Sequence, residues 1–366
     1  MSYAYGRNFS LTIDGGSHDP EICMSLVGFP AGVKVDRAAL SAFMARRAPG
    51  RQAYSTPRKE SDIPLFLSGL TADDTTDGTP ISVVIRNENQ HSGDYLALAD
   101  TPRPSHADYA AVMKYGRSVD LRGGGHFSGR LTALLCVAGF LAMSFLKPRG
   151  VAVFAHAAAI GGVTDTPFSL SEVGEKERVQ LTKTDFPTLS STAALRMKET
   201  IEFARLDGDS VGGVIECAVT GLPAGLGEHM FFSAEAAVAG AVFAVPAVKG
   251  IEFGAGFTAA ALRGSENNDP FYTDGNRVLI RNNRAGGILG GMTSGAPLVF
   301  RTAIKPTPSI AVEQDTVSLS RMENTKIRIG GRHDPCIVPR AVPVIEAAAA
   351  LAVCDLFLSA EGEHHE

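Results

Sequence analysis

Ile22-Cys23-Met24-Ser25-Leu26-Val27-Gly28-Phe29-Pro30-Ala31-Gly32 and, in the second half of the chain, Val214-Ile215-Glu216-Cys217-Ala218-Val219-Thr220-Gly221-Leu222-Pro223-Ala224-Gly225 carry one pattern. An apolar run ends in Gly-x-Pro-Ala-Gly, so each reads as a strand closed by a turn. A helix signal follows each turn. Asp36–Arg47 opens on Asp36, and Ser233–Val245 opens on Ser233 with Glu235 in its first turn. Side-chain oxygens at those positions accept from the unpaired amides of the first turn, and Glu235 faces the positive end of the helix dipole. A strand-turn-helix unit present twice predicts two similar sheet layers with helices between them.

Outward from these units, β-branched or alternating segments predict strands at Phe9–Ile13, Ile81–Arg86, Val151–Ala158, Arg277–Ile280, Leu298–Ala303 and Thr325–Ile329. Helices are expected at Ala107–Lys114, Arg130–Phe145, Thr192–Asp207 and Pro343–Leu358. Strands and helices interspersed in this way give an α/β or α+β protein with antiparallel hairpins. The 366 residues contain no linker-like stretch, which leaves one large domain or two intimately packed halves, about 1–150 and 200–345. Residues 359–366 read as a charged, disordered tail.

A hydrophobic share of 45% describes a soluble globular protein, and 39 glycines imply many tight turns. The net charge of −5 argues against general nucleic-acid binding, which wants a basic face. Residues 1–149 nevertheless hold 16 Lys/Arg against 14 Asp/Glu. Cations held back for the first part of an acidic chain point to a small polyanionic ligand. Five widely spaced cysteines without CxxC spacing read as reduced thiols in a cytoplasmic protein, with no metal site implied. No signal peptide is evident, and the apolar segment Leu131–Leu146, 16 residues long, falls short of the roughly 20 needed to span a bilayer. It reads as a buried helix, so no membrane association is expected.

Several segments carry more charge and glycine than a scaffold needs. Gly15-Gly16-Ser17-His18-Asp19 places a serine and a histidine on a turn. Arg46-Arg47-Ala48-Pro49-Gly50-Arg51 continues to Pro57-Arg58-Lys59-Glu60, five cations that could wrap an anion or simply complement a helix end. Arg103-Pro104-Ser105-His106-Ala107-Asp108-Tyr109 positions an arginine and a histidine before a helix, where a bound phosphate would make the histidine a proton donor. Asp120-Leu121-Arg122-Gly123-Gly124-Gly125-His126-Phe127-Ser128-Gly129-Arg130 is a triple-glycine turn opening onto a helix, where backbone amides bind phosphate well. It is neither a P-loop nor a dinucleotide fingerprint, because the Lys-Ser/Thr pair and the glycine spacing are missing.

Later, Ala285-Gly286-Gly287-Ile288-Leu289-Gly290-Gly291 and Lys305-Pro306-Thr307-Pro308-Ser309 would let a flat ring approach the backbone beside a cation. Tightly packed hairpins would use the same residues. Finally, Gly331-Arg332-His333-Asp334-Pro335-Cys336-Ile337 sets an anion binder and a carboxylate on a loop stiffened by Pro335 and Pro339.

Taken in order and spacing, these motifs resemble the chorismate synthase family over nearly the whole chain, and the Gly221–Glu228 run and Arg340-Ala341-Val342-Pro343 look like that family too. The resemblance implies an α+β fold, a β-α-β sandwich with helices packed between two antiparallel sheets, assembled as a homotetramer. It implies a lyase of aromatic amino acid biosynthesis that eliminates phosphate from 5-enolpyruvylshikimate 3-phosphate, giving chorismate, and that requires reduced FMN without net redox change. In that family's scheme His106 would assist the departing phosphate, His18 would protonate or stabilise the reduced flavin near N1, and Asp334 would act through flavin N5 as the base.

By the same resemblance Arg47, Arg58, Arg103, Arg130 and Arg332 would hold the substrate's phosphate and carboxylates, with Ser17 adding a hydrogen bond. The flavin would lie among His126, Phe127, Ser128, Pro246, Ala247 and Gly290. Lys305, Pro306, Thr307, Pro308, Ser309 and Arg332 would complete its surroundings. Departures occur in these stretches. His126-Phe127-Ser128-Gly129-Arg130 stands where the family commonly has ArgSerSerAlaArg, Ser17-His18-Asp19 follows Gly16 directly, and Pro246 replaces an Asn. They leave a second reading, a non-catalytic or divergent paralogue that binds flavin or a phosphorylated metabolite. No dinucleotide fingerprint is visible, so NADPH is expected only as an indirect reductant, through an external flavin reductase.

Overall fold

The computed structural model describes residues 4–50, 61–87, 100–330 and 334–363. Its first half runs β1 (Ser10–Gly15), β2 (Glu21–Val27), α1 (Arg37–Arg47), β3 (Leu65–Ser68), β4 (Ile81–Arg86), α2 (Asp108–Tyr115) and α3 (Thr132–Leu146). The second half runs β5 (Ala152–Ile160), β6 (Val163–Thr164), α4 (Glu175–Thr182), α5 (Ser191–Leu206), β7 (Gly213–Thr220), α6 (Ala234–Phe243) and β8 (Val248–Phe253). After the short α7 (Gly264–Asn267) come the strand pair β9 (Phe271–Thr273) and β10 (Val278–Ile280) and the hairpin β11 (Ile288–Leu289) and β12 (Met292–Thr293). The chain closes with β13 (Leu298–Ile304), the hairpin β14 (Gln314–Ser318) and β15 (Glu323–Ile327), and α8 (Val338–Glu363).

Ile22, Met24 and Leu26 are buried while Glu21, Cys23 and Val27 are exposed, so β2 offers one face to a core. It pairs antiparallel with β1 and β4 in a four-stranded sheet ordered β1-β2-β4-β3. The second sheet, β6-β5-β7-β13-β8, is five-stranded and antiparallel throughout. Between them lie α3, against β1, β2 and β4, and α8, against β5 and β7, with α1 and α6 beside them. The expected sandwich and both caps are present: Asp36 accepts from the Ala39 amide, and Ser233 accepts from the Ala236 amide.

The two central helices are apolar on all sides because each is covered on all sides. Where they cross, a Cβ on Gly139 of α3 would lie 2.3 Å from the Cβ of Ala347 of α8, so small residues set the approach. Gly129–Arg149 and Val338–Gly362 are long and apolar enough to cross a bilayer, yet 72% and 94% of an apolar 18-residue stretch in each is buried within the protein. The second was missed as a long apolar segment because Pro339 and Pro343 break its pattern.

Helix α8 corrects two expectations. It begins at Val338 rather than Pro343, since Pro339 sits in the first turn, where no amide is needed, and packing carries the helix through Pro343. It also continues to Glu363, so residues 359–363 are helical rather than a disordered tail, with Arg149 paired to Glu361 at 2.7 Å. The strands β3, β6, β8, β9 and β14 and helices α4 and α7 were not anticipated, while β11 and β12 form the tight hairpin that was the alternative reading of the 285–291 glycines. Lys249 and Gly250 interrupt the apolar run of β8, and Gln314 and Asp315 make β14 too polar to signal a strand.

The outer face of the second sheet carries a row of charges in register: His156 on β5, Glu216 on β7, Arg301 on β13 and Glu252 on β8. His156 is fully buried, its Nδ1 2.9 Å from Asp165 Oδ2 and its Nε2 3.0 Å from Glu216 Oε2. Two carboxylates accepting from one ring require both nitrogens to carry protons. Burial works to lower the His156 pKa, but these bonds raise it above the ordinary 6.5. The stabilisation is therefore complete below about pH 6.5 and lost as pH rises through the folded-state value. The midpoint of urea unfolding is expected to fall between about pH 6 and pH 9. His156→Ala should cost about 3–5 kcal/mol by stranding two buried carboxylates, and a pH-independent midpoint would contradict the clamp.

Candidate active site

Gly123, Gly124 and Gly125 follow one another with φ of 56°, 93° and 51°, a path that side chains resist. The turn is needed because two loops press on it. A Cβ on Gly123 would lie 2.4 Å from His18 Cε1 and 2.7 Å from Ser17 Oγ, while one on Gly124 would lie 3.5 Å from His106 Nε2. The histidines that follow β1 and precede α2 thus meet consecutive residues of one turn. Further bonds stitch it to the end of β1: the Ser17 amide donates to Gly125 O at 3.2 Å, and His126 Nδ1 donates to Gly15 O at 2.7 Å. Ser17 Oγ is buried and has no hydrogen-bond partner among the described residues, leaving a donor for a ligand.

Beside the turn, Arg47 and Arg130 are both buried and both paired to Asp62, itself buried. Arg47 Nη1 donates to Asp62 Oδ2 at 2.6 Å and its Nη2 to Gly129 O at 2.8 Å. Burial alone would raise the Asp62 pKa, but the two guanidinium groups hold it below the usual carboxylate range. Two guanidinium groups brought together beside the turn are donors of the kind that bind phosphate and carboxylate groups. Arg130 Nε also donates to Asn87 Oδ1 at 2.7 Å, and Asn87 Nδ2 donates to Gly16 O and Asp19 O on the Ser17-His18 turn.

On the other side, Arg340 pairs with Asp334 and donates through Nε to Arg47 O at 3.0 Å. A continuous hydrogen-bonded path therefore joins Asp334 to the histidine turn. Asp62, Asn87 and Arg340 were absent from the sequence-derived site. The partners of Asp62 and Asn87 lie 15 or more residues away, whereas Arg340 pairs with Asp334 six residues before it and, within a recognised motif, left a signal.

Arg103 and His106 converge on Asp108. The Arg103 side chain gives two bonds of 2.7 Å to its carboxylate, and His106 Nδ1 lies 2.6 Å from Oδ1. Lys305 reaches the same turn, donating to Ser105 O at 3.0 Å, and its amide donates to Ala247 O at 2.9 Å. Burial, then the neighbouring Lys249, lower the Lys305 pKa, so this ammonium too would gain from an anion. Arg46, by contrast, is spent on the buried Glu346, with bonds of 2.6 and 2.7 Å.

His126, Ser128 and Pro246 open onto one pocket of about 220 Å³, whose walls include Leu131, Leu135, Ala241 and Leu351. Ala247 and the 305–309 run adjoin Pro246 through the Lys305–Ala247 bond, and there Thr307 Oγ1 is buried without a partner among the described residues, with Ser309 buried nearby. Pro306 packs on Gly212, and Pro308 is half-buried. The largely apolar walls of the pocket suit a flat ring, while Lys305 and the Thr307 hydroxyl lie on the adjoining run rather than in its lining. Phe127 does not join the pocket: it packs with Ala111, Val112 and Leu121 beneath α2. Gly290 is exposed at the tip of the β11–β12 hairpin, which is anchored by Thr293 to Leu226, and does not line it either. Arg58 and Arg332 lie outside the described residues, as do Arg51 and His333.

Residues 9–358 match the family model described as Chorismate synthase. The chain is 41% identical to the chorismate synthase of Lancefieldella parvula over 375 aligned positions, covering 100% of this chain and 98% of the relative. It is 45% identical to that of Lachnoclostridium phytofermentans, covering 97% of this chain and 95% of the relative. For Thermococcus gammatolerans the identity is 44%, with 96% and 97% covered. Among solved structures, a crystal structure of chorismate synthase superposes with a TM-score of 0.77 at 25% identity, covering 98% of this chain and 94% of that one.

Proposed function

Because the chain belongs to the chorismate synthase family, we propose that it eliminates phosphate from 5-enolpyruvylshikimate 3-phosphate to form chorismate, with reduced FMN as cofactor. The observation that carries this reading is the pairing of His18 and His106 on consecutive glycines of one turn beside the buried Arg47–Asp62–Arg130 cluster. A 1,4-elimination breaks a carbon–oxygen bond to phosphate and a carbon–hydrogen bond on the ring, so it needs an anion clamp, a proton donor and a proton acceptor. Arg47, Arg130 and Lys305 supply charge for the phosphate and carboxylates. His106 Nε2 gives its proton to the departing phosphate oxygen, and Asp334 is the final acceptor of the ring proton. His18, held by Gly123, is the second proton-carrying group, and Ser17 Oγ donates to the bound ligand.

FMN would be held by His126, Ser128, Pro246, Ala247, Lys305, Thr307 and Ser309. When bound, reduced FMN supplies transient electron density for the departure of phosphate. NADPH enters only through a separate reductase, so the purified protein should not oxidise it. The assembly is a homotetramer, a reading supported by Met230, Phe231 and Phe232, which stand 70%, 81% and 53% exposed before α6.

The test is anaerobic phosphate release from 5-enolpyruvylshikimate 3-phosphate with reduced FMN, oxidised FMN or no flavin. Release is expected with reduced FMN alone. No release at saturating reduced FMN would overturn the enzymatic reading in favour of a non-catalytic, ligand-binding relative. Release without flavin would overturn the cofactor assignment.

A further inference from the structure

We infer that Asp108 is a positioning residue that fixes the tautomer and orientation of His106, an inference that rests on the role proposed for His106. Asp108 is the first residue of α2 and is completely buried. Its carboxylate is an acceptor on every side. Oδ2 takes Arg103 Nε at 2.7 Å and the Arg103 amide at 3.1 Å, while Oδ1 takes Arg103 Nη2 at 2.7 Å and His106 Nδ1 at 2.6 Å. Burial works to raise the Asp108 pKa, but the bonds from Arg103 and His106 hold it well below the usual carboxylate range, so it remains an ionised acceptor.

This geometry fixes where the proton on His106 sits. An ionised carboxylate cannot donate, so Nδ1 must carry the hydrogen in a contact of 2.6 Å. Arg103 Nη2, 3.1 Å from the same Nδ1, is also a donor and cannot substitute as its acceptor. With Nδ1–H anchored, Nε2 is left to take up and deliver a single proton, and it is Nε2 that faces Gly124. Arg103 neutralises the carboxylate and holds it in plane. Ser105, with φ of 58°, bends the chain tightly enough for residues 103, 106 and 108 to meet, and Lys305 clasps its carbonyl. Without an acceptor at Oδ1, neutral imidazole could carry its proton on either nitrogen, and the Nε2–H form would turn its bare nitrogen away from Gly124.

A scaffolding role would also explain an acidic residue in the first turn of a helix, so the test reads the ring itself. Asp108→Asn and Asp108→Glu are compared with wild type by ¹⁵N NMR of histidine-labelled protein, with His106 assigned through His106→Gln, and by steady-state kinetics. Wild type should show Nδ1–H in the neutral ring. Asp108→Asn should shift the proton to Nε2 and lower kcat by about 10³-fold, with KM changed only a few-fold. Asp108→Glu should recover Nδ1–H and part of kcat.

An Asn variant that keeps Nδ1–H overturns the inference, whether or not its kcat falls, because any loss would then be scaffolding. So does one that shifts the proton and keeps full kcat. If Asp108→Asn does not fold, Asp108→Glu decides: Nδ1–H with measurable turnover supports positioning, and Nε2–H with full turnover refutes it. The resting tautomer needs no substrate, so failure of the positioning inference stays distinguishable from failure of the proposed reaction, which shows in wild type alone.

Discussion

Asp334→Asn is expected to lower kcat by about 10²–10⁴-fold, the range typical of a lost proton acceptor, while leaving the fold and FMN affinity nearly unchanged. The amide oxygen can still accept from Arg340, which pairs with the carboxylate. Backbone anchoring does not depend on the charge either, because Pro335 O accepts from the Val211 amide at 2.8 Å and Cys336 is buried beside it. The substitution removes proton acceptance and the negative charge. Turnover and a fluorescence titration of FMN read the two consequences separately, and unchanged turnover would take Asp334 out of the reaction.

Gly123→Ala should be nearly as damaging without replacing a proton-carrying group. The substitution places a methyl group 2.4 Å from the His18 ring at a φ of 56°. Left-handed backbone costs a side chain about 1–2 kcal/mol, which the protein should tolerate. The ring, however, must move by roughly 1 Å to reach ordinary contact, and displacement of that size costs on the order of 10²-fold in rate. Gly124→Ala is the control: its φ of 93° is at least as strained for a side chain, but its contact with His106 is an ordinary 3.5 Å. Kinetics of both variants, with unfolding midpoints alongside, should show a much larger loss of kcat for Gly123→Ala. Equal losses would mean that backbone strain alone matters and that the contact with His18 does not.

The two Gly-x-Pro-Ala-Gly units made the layered fold legible because each brought its own strand alternation and helix cap, all local signals. The ends of α8 were not, because Pro339 and Pro343 locally argue against a helix that burial against α3 and the second sheet imposes. At the site, motifs located Ser17, His18, Arg103, His106 and the glycine turn, since sharp turns need glycine and proline at fixed offsets. Asp62 and Asn87 escaped because their partners come from elsewhere in the chain, and no local pattern records a hydrogen bond across the fold; Arg340 sits six residues after Asp334, and its bond to Arg47 O is the kind no local pattern records. Phe127 was assigned with its neighbours His126 and Ser128, yet the turn points it into the cluster under α2 while they face the pocket.

The most direct test of the account follows phosphate, chorismate and the flavin spectrum together in one anaerobic reaction started with reduced FMN. The account predicts one phosphate released per chorismate formed, over many turnovers, with FMN still reduced at the end. Flavin oxidation in step with product, or the absence of chorismate while substrate and reduced FMN are both bound, would contradict it.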